Sequence, residues 1–141
     1  MIRAICLIFL CTLCGCATTP VPYEKASPID AGNYLEGYAA YSSPSDQTVR
    51  VIVVRDSGML GAAAPVKLSI NGIGVAKLWS SQRIELFLQT ATYIFGVEPS
   101  PRLGGALVER DIHIAPENPK AFRIALDGGG AFSLQASTQL E

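Results

Sequence analysis

Ser57 and His113 are the two residues of this chain that we consider as candidates for catalytic chemistry. Ser57 lies between Asp56 and Gly58 and would have to act as a nucleophile. It lacks the G-x-S-x-G frame, in which a strand-to-helix turn exposes and activates the serine. We therefore interpret Ser57 as the end of a strand, with the Asp56 carboxylate accepting local backbone N–H groups.

The single histidine of the chain belongs to a short row of polar residues. Period-two alternation places Glu109, Asp111 and His113 on one face of a predicted strand. Two carboxylates and an imidazole could bind a metal ion, which needs three or four ligands. Alternation produces the same row on any solvated strand face, so we expect no metal site and no cofactor. The glycine run after Asp127 predicts a hairpin loop, because too few oxygen ligands surround it for calcium.

Trp79 and Phe87 form a candidate binding patch. Alternation along the predicted strands places both side chains on an outward face, where they could contact a carbohydrate or a protein. The alternative is that both rings are buried between two sheets.

Residues 1–15 are predicted to be a lipoprotein signal peptide. Arg3 supplies a positive charge, and residues 4–13 form an apolar run too short to span a bilayer. The run ends in Leu13-Cys14-Gly15-Cys16, which resembles the lipobox of bacterial lipoproteins. The resemblance implies that the Cys16 thiol carries a diacylglycerol and that the new amino terminus is acylated. The alternative, a secretory signal followed by a disulfide cysteine, lacks a partner because no cysteine follows Cys16.

The resemblance to lipoproteins also implies a location and a partner. The membrane is the expected partner through the lipid anchor. In enterobacterial lipoproteins an Asp after the cysteine favours the inner membrane, so Ala17 indicates the outer membrane, facing the periplasm. The formal net charge is −1 with no basic run, which argues against a nucleic-acid partner.

Residues 16–48 are interpreted as the lipidated cysteine and a tether, because four prolines interrupt any helix. As flexible coil, this segment would have an end-to-end distance of roughly 30 Å and would hold the domain clear of the lipid head groups. The segment is nevertheless rich in tyrosine, which disordered chains lack. We therefore expect residues 33–41 to dock on their own domain, with partner binding as the alternative.

Residues 49–141 are predicted to form an antiparallel β-sandwich of about seven to eight strands, because turn signals recur every 8 to 12 residues. The run Val51–Val54 is apolar on both faces, as in a central strand covered on both sides. Asn71-Gly72 predicts a two-residue hairpin, since a type I′ turn needs positive φ at both central residues. The long connection 56–65 is expected to cross between sheets, and residues 66–97 are interpreted as a β-meander.

The segment from Val53 to Gly61, together with Ser69-Ile70-Asn71-Gly72 and the strand ending at Trp79, resembles a group of small bacterial lipoproteins. These carry a domain of unknown function with an immunoglobulin-like or transthyretin-like sandwich. Carbohydrate-binding-like and PEGA-type surface modules also begin with a strand, an Asn-Gly or Asp-Gly turn and a second strand, and this segment resembles them. The resemblance covers roughly residues 49–99. It implies a fold and a location in the cell envelope, and it supplies no catalytic residues.

Three functional hypotheses follow from these patterns. The first is a non-enzymatic, lipid-anchored envelope protein that offers strand edges and loops to another, unidentified envelope protein. The second is an accessory lipoprotein of a secretion or conjugation machine. The third is a hydrolase that uses Ser57 or His113.

Overall fold

The computed structural model describes residues 18–59, 61–118 and 120–138, so the predicted signal peptide and Cys16 lie outside the described residues. Two β-sheets pack face to face around one main hydrophobic core, which confirms the predicted all-β sandwich. The strands are β1 (Ser27–Pro28), β2 (Thr48–Arg55), β3 (Val66–Ile70), β4 (Ile73–Leu78), β5 (Gln82–Gln89), β6 (Ala91–Pro99), β7 (Val108–Ile114), β8 (Ala121–Leu126) and β9 (Phe132–Ala136). Three short 3-10 helices precede β2, at Tyr23–Lys25, Ala31–Asn33 and Glu36–Tyr41.

One sheet has the strand order β1-β5-β2-β8-β9, and the other has the order β4-β3-β6-β7. Neighbouring strands are antiparallel, as predicted, except for the pairs β1–β5 and β2–β8. Strands β2 and β8 run parallel because the chain returns to the first sheet from β7, at the end of the sandwich where β2 also begins.

Strand β2 is the central strand that its composition predicts. It lies between β5 and β8, and residues 51–54 are all buried. Val51 and Val53 belong to the main core, whereas Ile52 and Val54 belong to a second apolar cluster on the outer face. Both faces of the strand are therefore covered, which explains its unbroken apolar run.

The hairpin between β3 and β4 confirms the Asn-Gly prediction. Ile70 pairs with Ile73, which leaves Asn71 and Gly72 as a two-residue loop. Their φ angles are 50° and 79°, the positive values that a type I′ turn requires. The Asn71 side chain also accepts a hydrogen bond of 2.9 Å from the Ile94 backbone N–H, so it attaches the turn to β6.

Replacing Gly72 with valine is expected to lower the free energy of unfolding by about 1 kcal/mol or more. A Cβ at this position would meet no atom within 4 Å, so the cost comes from positive φ in a β-branched residue. Gly32→Val is the matched control, because it also has open space but no positive φ. Equal melting temperatures for the two variants would contradict the turn assignment.

The predicted meander over residues 66–97 is wrong. Strand β5 pairs with β2, with Val51 opposite Leu86, and it leaves the sheet that contains β3, β4 and β6. The chain passes between the sheets twice, once through residues 79–81 and once through Thr90 alone. Ser81 has a φ of 62°, which redirects the chain at the first crossing. The predicted crossing between β2 and β3 is confirmed, since these strands lie in different sheets.

Residues 18–41, called here the N-terminal strap, pack against the sandwich instead of forming a flexible coil. Val21 and Ala26 are buried over the outer face of β2, and Ile29 is a member of the main core. The prolines exclude a long helix, but they do not prevent an extended chain from burying apolar side chains. The part of the predicted tether that the structure describes is therefore ordered against the domain.

The tyrosine-rich end of the strap docks on its own domain, as predicted. The 3-10 helix Glu36–Tyr41 packs against β4. Tyr38 and Tyr41 contact the main core, and the Tyr41 ring meets the Tyr93 ring edge-on at 6.3 Å between centroids. These aromatic contacts explain why the segment carries more tyrosine than a solvated linker would.

Candidate binding cleft

The strap closes one side of the sandwich, where it passes from the five-stranded sheet to the four-stranded sheet. Strand β1 pairs with β5, and Tyr34 forms a β-bridge with Ala76 of β4. The Leu35 N–H donates a 3.0 Å hydrogen bond to the Val75 carbonyl. These backbone contacts leave a concave surface between the strap and the outward face of β5.

This surface, called here the tyrosine cleft, has a volume of about 250 Å³. It is lined by Pro28, Tyr34, Tyr38, Arg83, Ile84, Glu85 and Phe87. The Tyr34 and Tyr38 rings are stacked at a tilt of 35°, with 4.2 Å between their centroids. Burial, with a smaller contribution from Tyr34, raises the pKa of Tyr38, so the Tyr38 phenol is neutral at physiological pH.

The charged groups of the cleft are bonded within the protein. Glu85 accepts hydrogen bonds from Arg50 Nε at 2.8 Å and from the Tyr23 hydroxyl, and the Arg50 bond is the main reason why the pKa of Glu85 is lowered. Arg83 donates to the carbonyls of Tyr23 and Ala26, and its guanidinium lies 4.2 Å from the centre of the Tyr23 ring. Both side chains therefore fix the strap on β5.

The cleft consequently offers the two tyrosine rings and Phe87, and its exposed surface is about as polar as it is apolar. An apolar or aromatic side chain needs only a pocket of suitable shape, and tyrosine is enriched where such side chains anchor protein interfaces. The aromatic walls of the cleft therefore suit an apolar or aromatic side chain of a polypeptide.

The two residues of the predicted patch lie on separate surfaces. Phe87 is half-buried and lines the tyrosine cleft. Trp79 is 38% exposed, and its backbone N–H is bonded to the Gln82 side chain at the start of β5. Gln82 and Phe87 are about 17 Å apart along the strand at roughly 3.3 Å per residue. Only Phe87 therefore contributes to the cleft.

Ser57 is occupied by a structural contact. Its backbone forms a β-bridge with Thr19, and its hydroxyl lies 3.3 Å from the Thr19 carbonyl, to which it donates. The buried Asp56 carboxylate accepts hydrogen bonds from Arg123 and from the Thr18 hydroxyl. The local backbone role that we expected for Asp56 is thus replaced by an ion pair with β8, because the parallel pairing of β2 and β8 brings Arg123 beside it.

His113 is exposed on β7, at the opposite end of the sandwich from Ser57. Its Nδ1 lies 3.1 Å from the Thr92 hydroxyl, and Glu109 and Asp111 are exposed on the same strand, as alternation predicts. Within residues 18–59, 61–118 and 120–138, no three metal-ligating side chains are grouped closely enough to hold an ion. The structure does not bring Ser57 and His113 together.

Sequence reasoning identified only part of the cleft. Phe87 was predicted by alternation, and the tyrosine content of the strap signalled that this segment has a role. Arg83 and Glu85 were missed, although the same alternation that exposes Phe87 places both of them on its face of β5. Their proximity to the tyrosines depends on how the strap docks, which no local pattern encodes.

No protein-family model, no curated protein and no solved structure matches this chain. In the part of the chain that the structure describes, no helix has the length and hydropathy needed to cross a bilayer.

Proposed function

We propose that this protein is a lipid-anchored cell-envelope protein whose β-sandwich binds another envelope protein without catalysing a reaction. The observation that carries the proposal is the tyrosine cleft, in which Tyr34, Tyr38 and Phe87 form a concave aromatic surface. The lipobox-like motif ending at Cys16 supports the anchor. The separation of Ser57 and His113 argues against a hydrolase that combines these two residues.

The partner is expected to insert an apolar or aromatic side chain between the strap and β5. A photo-reactive phenylalanine analogue at position 87 should therefore form cross-links to a discrete envelope protein in living cells. The same analogue at Ile94 is the matched control, because Ile94 is 43% exposed but lies on the four-stranded sheet. Cross-links at both positions with the same pattern would contradict a binding role for the cleft.

A second variant separates specific binding from chance contact at position 87. Tyr34→Ala removes one wall of the cleft and should abolish the cross-link, because truncating an aromatic anchor typically costs 2 kcal/mol or more of binding energy, or about thirtyfold in affinity. A cross-link that persists unchanged in Tyr34→Ala would show that the captured protein does not occupy the cleft. Protein levels should be compared by immunoblot to exclude loss of folding.

The anchor has a test of its own. Cys16→Ser is expected to abolish incorporation of labelled palmitate, because serine provides no thiol for the diacylglycerol. The fraction of the protein that sediments with membranes should fall in parallel. Labelled lipid on the serine variant would refute the lipobox interpretation and leave the tyrosine cleft unaffected.

A further inference from the structure

The strap is fixed to the sandwich from its first described residue onward. The Thr18 N–H donates to the Leu126 carbonyl at 3.0 Å, and the Thr18 hydroxyl donates to Asp56 at 3.2 Å. Thr19 and Ser57 exchange backbone hydrogen bonds of 2.8 and 3.0 Å. Residues 18 and 19 therefore have a set position at the end of the sandwich where β2 and β8 finish.

We propose that this end of the sandwich lies directly on the lipid head groups, an inference that rests on the proposed anchor at Cys16. Two peptide units join Cys16 to Thr18, and they can span at most about 7 Å. A diacylglycerol on Cys16 places that residue at the membrane surface. The domain is then held against the bilayer, in contrast to the predicted tether of roughly 30 Å.

The surface that faces the lipid, called here the membrane-facing end, consists of four connections. They join β2 to β3, β4 to β5, β6 to β7 and β8 to β9, and they lie together because β2, β4, β6 and β8 all finish at this end. Among their described residues, Arg102 and Asp127 are the exposed charged ones. Asp127 accepts hydrogen bonds from the backbone N–H groups of Gly129 and Ala131 within its own turn.

The apolar side chains of this end suit the head-group region of a bilayer. Met59 is 97% exposed, the highest value among the large apolar residues of the described chain, and Trp79 is 38% exposed. Ala62 and Ala63 are also exposed in the same connection as Met59. Tryptophan concentrates at membrane–water interfaces, because its ring is apolar and its N–H is polar.

Arg55 holds two of these connections in place from beneath. Its buried guanidinium donates to the carbonyls of Ala64 and Leu78 at 2.9 and 2.8 Å, and to that of Gly61. Met59 and Trp79 thus lie in two loops that are both hydrogen-bonded to the Arg55 guanidinium. A preorganised apolar surface binds without the cost of ordering the loops first.

The single tryptophan of the chain allows a direct test without labels. The full-length protein, purified from cell membranes, is reconstituted into vesicles of phosphatidylethanolamine and phosphatidylglycerol. Half of the samples contain lipids that are brominated on the acyl chain near the carbonyl. We expect the protein to float with the vesicles and Trp79 to lose fluorescence in the brominated samples. A control protein, W79F/I73W, moves the tryptophan to the hairpin at the other end of β4 and should keep its emission.

The possible failures point to different errors. Flotation with equal Trp79 emission in both lipids would overturn the membrane-facing end and leave the anchor intact. Failure to float would overturn the anchor, and the orientation with it. Equal loss of fluorescence in the native protein and in the control would overturn the assignment of this end, because the domain would then lie on its side.

Discussion

Replacing Arg55 with methionine is expected to lower the free energy of unfolding by about 3–5 kcal/mol. Arg55 is 3% exposed and donates to three backbone carbonyls, those of Gly61, Ala64 and Leu78. Methionine replaces much of the apolar stem but removes the donor that these carbonyls share, and each buried group left unsatisfied costs about 1–3 kcal/mol. Burial lowers the pKa of Arg55 to about 10, so the guanidinium is charged at neutral pH and its loss removes charge-assisted bonds.

The measurement is urea denaturation followed by the fluorescence of Trp79. Trp79 directly follows Leu78, whose carbonyl is one of the three that accept hydrogen bonds from Arg55. Arg102→Met is the matched control. Arg102 is exposed in the connection between β6 and β7, so its replacement should change stability by no more than about 0.5 kcal/mol. Coincident transitions for the two variants would show that Arg55 does not hold the loops.

Replacing Ile29 with alanine is expected to cost about 2–4 kcal/mol of unfolding free energy. Ile29 is 5% exposed and belongs to the main core, although it lies in a segment whose prolines suggested a flexible tether. Its backbone N–H also donates to the Arg83 carbonyl at 3.1 Å, which fixes the strap beside β5. Removing the side chain leaves a cavity that the surrounding strands can only partly fill.

Lys25→Ala serves as the control for this second variant. Lys25 lies four residues earlier in the same strap and is exposed, so its replacement should leave the midpoint of denaturation nearly unchanged. If Ile29→Ala were as stable as Lys25→Ala, the strap would be a tether after all.

The sequence by itself determined the features that depend on neighbouring residues. Asn71-Gly72 specified the hairpin because few other residues adopt positive φ at two successive positions. Alternation specified which residues of β5 face the core, Ile84, Leu86 and Leu88, because the side chains of a strand alternate regardless of its partner. The unbroken apolar run of β2 specified a strand covered on both faces.

Only the tertiary structure decided which strands pair and where the strap lies. The alternation of β5 is satisfied equally by a neighbour in either sheet, so local sequence could not exclude the meander. Prolines in residues 18–41 forbid a long helix but do not determine whether an extended chain stays in solvent or packs on the domain. That outcome depends on apolar surface contributed by distant strands, such as the outer face of β2 that receives Val21 and Ala26. The tyrosine cleft and the membrane-facing end both arise from this long-range packing, which is why neither could be derived from residue spacing.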